Sequence, residues 1–471
     1  MKERVINLPA HVKYLSSRLF ENGIEIYLVG GYVRNSLLSL EVTDLDITSK
    51  ATPGEIIKGL KKCEDIFIIE KALDFGTIQI DLNYGGEKYS FEHTTFRHDF
   101  YHDDGSHRPK HVTFTDNIVA DAQRRDFTIN AIYYHVEKES LIDPLGGIID
   151  LDQMVIKAVK ENPRETLSDD GLRILRMVRF AAELNFKIDP QLFIAAKTYV
   201  SYLKDISAER KYIELKKIML ADVKYIGYNG AFKEKKHKRG IIIMNEIGAL
   251  KYTFSCLQEC VGVMQNPKYH KHDVFGHLVE SFANSEPDLI IRFSALFHDV
   301  AKPYVLNQAG NMYGHDIRSS EMSQKMLKEL KAPKAVTHDV SLLVKNHMFD
   351  LESKAKPNTI KKKAGEIGFD YMFKLAKLRR ADFIGSGRNA GLESAESWEN
   401  TVREMREQKT PESIRDLAIN GNDLISMFGL TDGKRIGYIL KKLWDLTLLK
   451  PSQNKRELLL KHANNIMKQV K

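Results

Sequence analysis

An apolar, strand-like run, Ile24–Val29, ends in Gly30 and Gly31, and a helical pattern from Val33 to Leu40 follows. The next strand-like segment carries Asp44 and Asp46 on either side of Leu45. This strand–glycine–helix–strand order constrains the fold more than any other feature of the chain. Glycines at such a turn let backbone N–H groups approach a phosphate, and a helix N-terminus favours negative charge there. The same glycine pair serves equally as an ordinary turn. In a strand, residues i and i+2 point to one face, so Asp44 and Asp46 stand side by side. Two carboxylates that close repel when both are ionised, and a cation between them relieves the repulsion. Carboxylates, water and substrate phosphates are what Mg²⁺ prefers, and phosphoryl transfer by two metals uses such a pair. An isolated Asp-x-Asp is more often a surface strand or turn; placed after the glycine turn it becomes specific. Glu92 is the candidate third carboxylate, its rival reading being a solvent-facing residue on an edge strand.

Further strands are predicted at Leu45–Ile47, Ile66–Ile69, Thr77–Leu82, Tyr89–Thr95, Val112–Phe114 and Ile132–His135. After Asp150 the strand signal fades, and from Asp169 onward helical periodicity dominates. Breaks fall at Pro267, Pro303, Pro357, Gly385–Gly387 and Pro451. The expected class is α+β, an N-terminal head followed by a long helical part, divided at 1–150, 151–215, 216–390 and 391–471. Set at 100° per residue, Asp170, Arg173, Arg176 and Arg179 sweep one half of a single helix over Asp169–Leu184. Ile174, Leu175, Val178, Ala181 and Ala182 share the other half. A solvated basic face is one reading of this pattern. The other pairs an acceptor, Asp170, with a guanidinium fork, Arg173, one turn away, able to complement the edge of a nucleobase.

Lys plus Arg exceed Asp plus Glu, 71 against 63, for a net charge of +8. That excess suits a polyanion such as nucleic acid, although the basic runs at 233–239, 361–363 and 455–471 each read most simply as solvated faces or loops. No apolar run reaches the roughly 18–20 residues of a membrane span, and the start of the chain lacks a signal-type apolar region. The three cysteines, Cys63, Cys256 and Cys260, include no C-x-x-C pair, which argues against a disulfide framework or a zinc–thiolate site. A cytoplasmic location is the expectation.

A second set of ligand-type residues lies further on. His298 and Asp299 close an apolar helical run, His277 precedes them, and His315, His347 and Asp382 follow. Burying an adjacent His and Asp is costly unless they bind something. Imidazole plus carboxylate suits Mn, Fe, Ni, Co or Zn better than Ca. His315 and His347 are either ligands of a second metal or ordinary surface or hydrogen-bonded histidines.

Six stretches, 28–38, 44–46, 91–97, 124–132, 143–151 and 169–184, occur in the order found in the class II nucleotidyltransferases of the polymerase-β superfamily. The chain resembles most closely the tRNA nucleotidyltransferases that add CCA. It departs from them at Asn35, Ser39 and Asp169, where Asp, Gly and Glu are usual. The resemblance implies a nucleotidyltransferase head with a mixed β-sheet (1–150), then an elongated all-α part. That part comprises a neck with a nucleobase-reading helix (151–215), a body (216–390) and a tRNA-binding tail (391–471). Mg²⁺ on Asp44 and Asp46 with Glu92 assisting is implied, as are nucleotide contacts from Gly30, Gly31, Arg34, Arg124, Arg125, Asp126 and Asn130. Asp170 and Arg173 would read the base, with Arg176 and Arg179 adding charge, and residues 100–114 would form a flexible loop. The order His277, His298, Asp299, Asp382 resembles the HD phosphohydrolase superfamily, in which these positions hold a divalent metal. A body of HD type carrying a transition-metal ion is therefore expected.

The implied reaction is template-independent addition of CCA to the tRNA 3′ end from CTP and ATP, with release of pyrophosphate and no membrane partner. The alternatives are an A-adding or CC-adding enzyme, a bacterial poly(A) polymerase, an HD-type metal-dependent phosphohydrolase acting on RNA ends or nucleotides, and a pure RNA-binding module. The oligomeric state is left open.

Overall fold

A computed structural model describes residues 6–42, 45–101, 110–228, 235–267, 271–387 and 392–469. The chain forms two compact units, Met1–Phe254 and Ser255–Lys471. The first is built on β1 (Tyr27–Val29), β2 (Leu45–Ser49), β3 (Ile66–Ala72), β4 (Thr77–Tyr84), β5 (Glu87–Thr95), β6 (Arg97–Phe100), β7 (His111–Phe114), β8 (Tyr133–His135) and β9 (Ser140–Ile142). Seven of these make one sheet in the order β3-β4-β5-β2-β1-β8-β9. Only the β2–β5 pairing is parallel; the others are antiparallel. The sheet is therefore mixed, as expected. Its inner face follows from period-two alternation: Phe91, His93 and Thr95 of β5 are buried while Glu92 points outward.

The stretch 100–114, expected to be a loop, begins and ends in a two-stranded ladder. β6 pairs with β7 antiparallel, Arg97 opposite Phe114 and Phe100 opposite His111. Arg97 bonds Asp99 at 2.6 Å and the Phe75 carbonyl. The rings of Phe100 and His111 stack with centroids 4.5 Å apart. Residues 102–109, the rest of that stretch, lie outside the described residues.

The helix expected over Asp169–Leu184 is interrupted. One helix ends at Asp169, Asp170 is extended (φ −151°, ψ 105°), and the next helix runs Leu172–Glu183. Two contacts, one local and one long-range, accompany the break. The Asp170 carboxylate accepts the Leu172 N–H at 3.0 Å, acting as a helix cap. Gly171 packs so closely that a Cβ there would lie 2.8 Å from the Tyr202 carbonyl oxygen. The basic run at 233–239 is also not simply solvated. Lys236 is buried and donates to the Glu183 carbonyl at 3.1 Å, and Arg239 donates to Ala181 and Phe186 carbonyls.

The second unit is helical throughout its described residues. Its core gathers Leu343, Phe369, Leu375, Trp398, Leu443 and their neighbours. The helix Val274–Ala283 carries His277, and the helix Leu289–Phe297 is closed by His298 at its C-cap. Among the described residues no helix is long and apolar enough to cross a membrane.

Candidate functional site

Gly30 sits between β1 and the helix Gly31–Leu37 with φ 70° and ψ −130°, a conformation that favours glycine. A Cβ at Gly30 would lie 3.5 Å from Asp46 Oδ2, so the missing side chain leaves room directly beside the carboxylate. Asp46, on β2, is the register partner of Glu92 on β5. The two neighbours share a face, yet only Asp46 lines the adjoining cavity. Glu92 is half-exposed and bonds Lys71 at 3.3 Å. Asp44, the other half of the expected pair, lies outside the described residues.

The cavity holds about 360 Å³ and is lined by Gly30, Gly31, Arg34, Asp46, Arg125, Asp126, Asn130, Asp170, Arg173, Arg176, Arg179, Phe180, Lys217 and Lys224. Arg124 is the one described residue of the expected nucleotide set that does not line it; it acts from behind. Its carbonyl accepts Arg173 Nη2 at 2.5 Å, and its guanidinium bonds Asp121 at 2.7 Å.

The arginines of the lining are held by polar partners. Arg34 donates to Asn130 Oδ1 at 2.6 Å, and Asn130 donates to Asp126 Oδ1 at 3.0 Å. Asp126 Oδ2 pairs with Arg176 at 2.6 Å. Burial alone would raise the Asp126 pKa, but Arg176 and the Asn130 hydrogen bond outweigh it and hold the carboxyl at about 2. Asp121 behaves the same way: burial opposes, while Arg125, Arg124 and the Tyr133 hydroxyl bring it to about 2. Arg173 is fixed by the Thr166 carbonyl at 2.8 Å and Asp169 at 3.2 Å in addition to the Arg124 carbonyl. Asp170 is fixed by Arg210 at 2.5 Å. Arg179 is gripped by Glu214 at 2.6 Å and Glu183 at 3.1 Å. The guanidinium groups of Arg34, Arg176 and Arg179 lie 4.9, 5.4 and 4.0 Å from the Phe180 ring centroid, contacts that cation–π attraction favours.

Sequence reasoning missed Phe180, Lys217 and Lys224 in the lining, and Asp121, Arg210 and Glu214 behind it. Asp121 had a readable signal, lying three and four residues before Arg124 and Arg125 in helical register. Lys217 had none, since only the tertiary fold brings it to the cavity. Burial, with Arg179 nearby, lowers its pKa.

In the second unit the expected metal residues converge. His277 Nε2 lies 3.0 Å from His298 Nε2, 3.2 Å from Asp382 Oδ1 and 3.4 Å from Asp299 Oδ2. His298 Nε2 lies 3.4 Å from both Asp382 Oδ1 and Asp299 Oδ2. His315 and His347 join them, 2.9 and 3.4 Å from Asp299 Oδ1 and 3.3 Å from each other. All except the slightly open Asp382 are buried. Burial works against charge on both aspartates, but Lys302 at 2.6 Å holds Asp299 well below the usual carboxylate range, and His277 and His298 do so for Asp382.

Residues 26–157 match the family of the poly(A) polymerase head domain, and 316–463 match a tRNA nucleotidyltransferase domain 2. Residues 185–235 match the "Probable RNA and SrmB-binding site of polymerase A". The CCA-adding enzyme of Ligilactobacillus salivarius is 26% identical over 475 residues, covering 99% of each chain. These matches are all to nucleotidyltransferase or poly(A) polymerase domains and enzymes. The CCA-adding enzyme of Streptococcus mutans is 40% identical over 200 residues, which span 42% of this chain and 47% of that one. The structure of the Bacillus stearothermophilus CCA-adding enzyme in complex with CTP shares the nucleotidyltransferase fold, with a TM-score of 0.68 at 21% identity and 98% of each chain covered. The Thermotoga maritima CCA-adding enzyme complexed with tRNA aligns with a TM-score of 0.57 at 20% identity, over 98% of this chain and 96% of that one.

Proposed function

We propose that this chain adds CCA to the 3′ end of tRNA from CTP and ATP without a nucleic-acid template. One observation carries the reading: a single cavity collects the glycine turn, Asp46, a cationic lining and the Asp170–Arg173 pair. Cytosine and adenine both present an exocyclic amine next to a ring-nitrogen acceptor, whereas uracil and guanine present a carbonyl next to an N–H. A carboxylate that accepts and a guanidinium that donates match the first pattern and oppose the second. Both groups are held by their neighbours before any nucleotide arrives, so little ordering is needed on binding.

The space that a Gly30 Cβ would fill beside Asp46 fits a bound cation and a phosphate oxygen. Asp46, with Asp44, would hold Mg²⁺, which supplies charge neutralisation at the triphosphate. Arg34, Arg125, Arg176, Arg179, Lys217 and Lys224 then surround the phosphates with positive charge. Their work is positioning and electrostatic stabilisation, which dominate phosphoryl transfer. In the second unit, His277, His298, Asp299 and Asp382 would hold a transition-metal ion.

The test is extension of a tRNA transcript lacking its terminal CCA, with Mg²⁺ and labelled CTP, ATP or both, beside an Asp44→Ala/Asp46→Ala control. Three added nucleotides, absent in the control, are expected. One or two would indicate an A-adding or CC-adding enzyme, and a long A ladder a poly(A) polymerase. Phosphate release that survives in the control would move the assignment to a phosphohydrolase.

A further inference from the structure

We propose that Tyr225 is a positioning residue for nucleotide binding, its hydroxyl aiming the Arg34 guanidinium at the triphosphate. Resting on the reading of the cavity as a CTP and ATP site, this role adds the residue that holds its uncompensated cation.

Among the described residues, four of the five arginines that line the cavity have a carboxylate partner. Arg125 meets Asp121 at 2.9 Å, Arg173 meets Asp169 at 3.2 Å, and Arg176 and Arg179 meet Asp126 and Glu214 at 2.6 Å. Arg34 differs, because its hydrogen-bond partners among the described residues are all neutral. Nη1 donates to Asn130 Oδ1 at 2.6 Å, Nε and Nη2 to Asn35 Oδ1 at 3.1 and 2.8 Å, and Nη2 to the Tyr225 hydroxyl at 3.3 Å. Arg34 is only 3% exposed. A charge buried among neutral dipoles is costly, and an anion in the cavity relieves that cost. A Cβ on Gly31 would lie 3.9 Å from Arg34 Nη2, so the guanidinium stands over the glycine turn that a phosphate would approach.

Tyr225 comes to this place from turns that follow the helix Ala208–Met219, and it is buried. Its hydroxyl accepts Asn35 Nδ2 at 3.1 Å as well as Arg34 Nη2, and offers its own hydrogen to Asn35 Oδ1 at 3.4 Å. Asn35 Nδ2 also donates to the Glu41 carbonyl at 2.9 Å. The hydroxyl therefore touches the guanidinium directly and steadies the amide whose oxygen takes Nε and Nη2. Without it, Arg34 Nη2 and Asn35 Nδ2 each lose a buried acceptor, and the fork loses part of its aim. The ring has a separate contact, with Lys224 Nζ of the lining 5.4 Å from its centroid. Phenylalanine keeps that contact and removes the hydroxyl alone.

The full chain would be titrated with CTP by calorimetry, in Mg²⁺ and without tRNA, and with cytidine by ligand-observed NMR. The proteins compared are the parent, Tyr225→Phe, Arg34→Gln and the double variant. Tyr225→Phe should weaken CTP by about 10-fold, as loss of a hydrogen bond to a buried charged group does, and leave cytidine unchanged, since cytidine has no phosphate. Arg34→Gln should weaken CTP at least as much, and adding Tyr225→Phe to it should weaken CTP no further. On a tRNA lacking its CCA, the KM for CTP should rise with Tyr225→Phe while kcat stays within about two-fold. Equal losses for CTP and cytidine, or additive losses in the double variant, would make Tyr225 a structural residue and overturn the positioning role. Unchanged CTP affinity in Tyr225→Phe would overturn it as well, with the proposed function intact. A parent chain that binds no CTP would overturn the proposed function and this role with it.

Discussion

Arg173 meets three partners, the Thr166 and Arg124 carbonyls and Asp169, before any base approaches, and its planar fork is what those contacts aim. Lysine carries the charge but not the fork. Arg173→Lys should therefore lower kcat/KM for CTP and ATP by on the order of 10²-fold and narrow the preference over UTP and GTP, measured by single-nucleotide incorporation. A second residue prediction concerns stability alone. Ser39 adopts φ 54°, a left-handed conformation that costs a side-chain-bearing residue roughly 1 kcal/mol. Ser39→Gly should stabilise the first unit by about that amount, raising its melting midpoint by about 2–4 °C. Asn35 uses both ends of its amide. Its oxygen accepts Arg34 at 2.8 Å and its amide donates to the Glu41 carbonyl at 2.9 Å, a donation that aspartate could not make.

At the level of elements, the junction between the helices Pro163–Asp169 and Leu172–Glu183 sets the distance between acceptor and donor. A methyl at Gly171 would meet the Tyr202 carbonyl at 2.8 Å. Gly171→Ala should destabilise the first unit by about 2–3 kcal/mol and weaken nucleotide binding further than the stability loss explains; calorimetry of both would check it. This junction was illegible in the sequence. The 100° periodicity of Ile174, Leu175 and Val178 is unchanged by a break just before it, and the contact with Tyr202 is long-range. The strands were legible because β2, β4 and β5 alternate with period two, and Asp46 was legible because it follows the Gly30 turn. The partners that aim the arginines were less so. Arg210 and Glu214 reach Asp170 and Arg179 only through packing of a later helix, and no local pattern marks either. Glu92 was read only as a candidate third carboxylate or a solvent-facing residue, and period alone could not say that its strand pairs with that of Asp46 while its carboxylate turns to Lys71.

For the whole molecule, two buried aspartates tie acid stability to the integrity of the site. Asp121 and Asp126 hold folded pKa values of about 2, below their ordinary 3.8. Their contribution is fully present above about pH 4 and is lost as pH falls through about 2, roughly 2 kcal/mol each. Urea unfolding of the first unit followed between pH 5 and pH 2 should lose stability with falling pH, and Asp126→Asn should flatten that dependence. The two units carry chemically distinct clusters, one of carboxylate and guanidinium groups and one of imidazoles and carboxylates, so substitutions in each separate their contributions in the assay. The central claim is that protein side chains, not a template, choose the incoming base. The most direct measurement offers each of the four nucleoside triphosphates singly to the chain with Mg²⁺ and a tRNA ending before its CCA, and quantifies incorporation. CTP alone should add to that end, and ATP should add once both cytidines are in place, with UTP and GTP slower by at least about 10²-fold. Incorporation of UTP or GTP at rates comparable to CTP would contradict the assignment of Asp170 and Arg173.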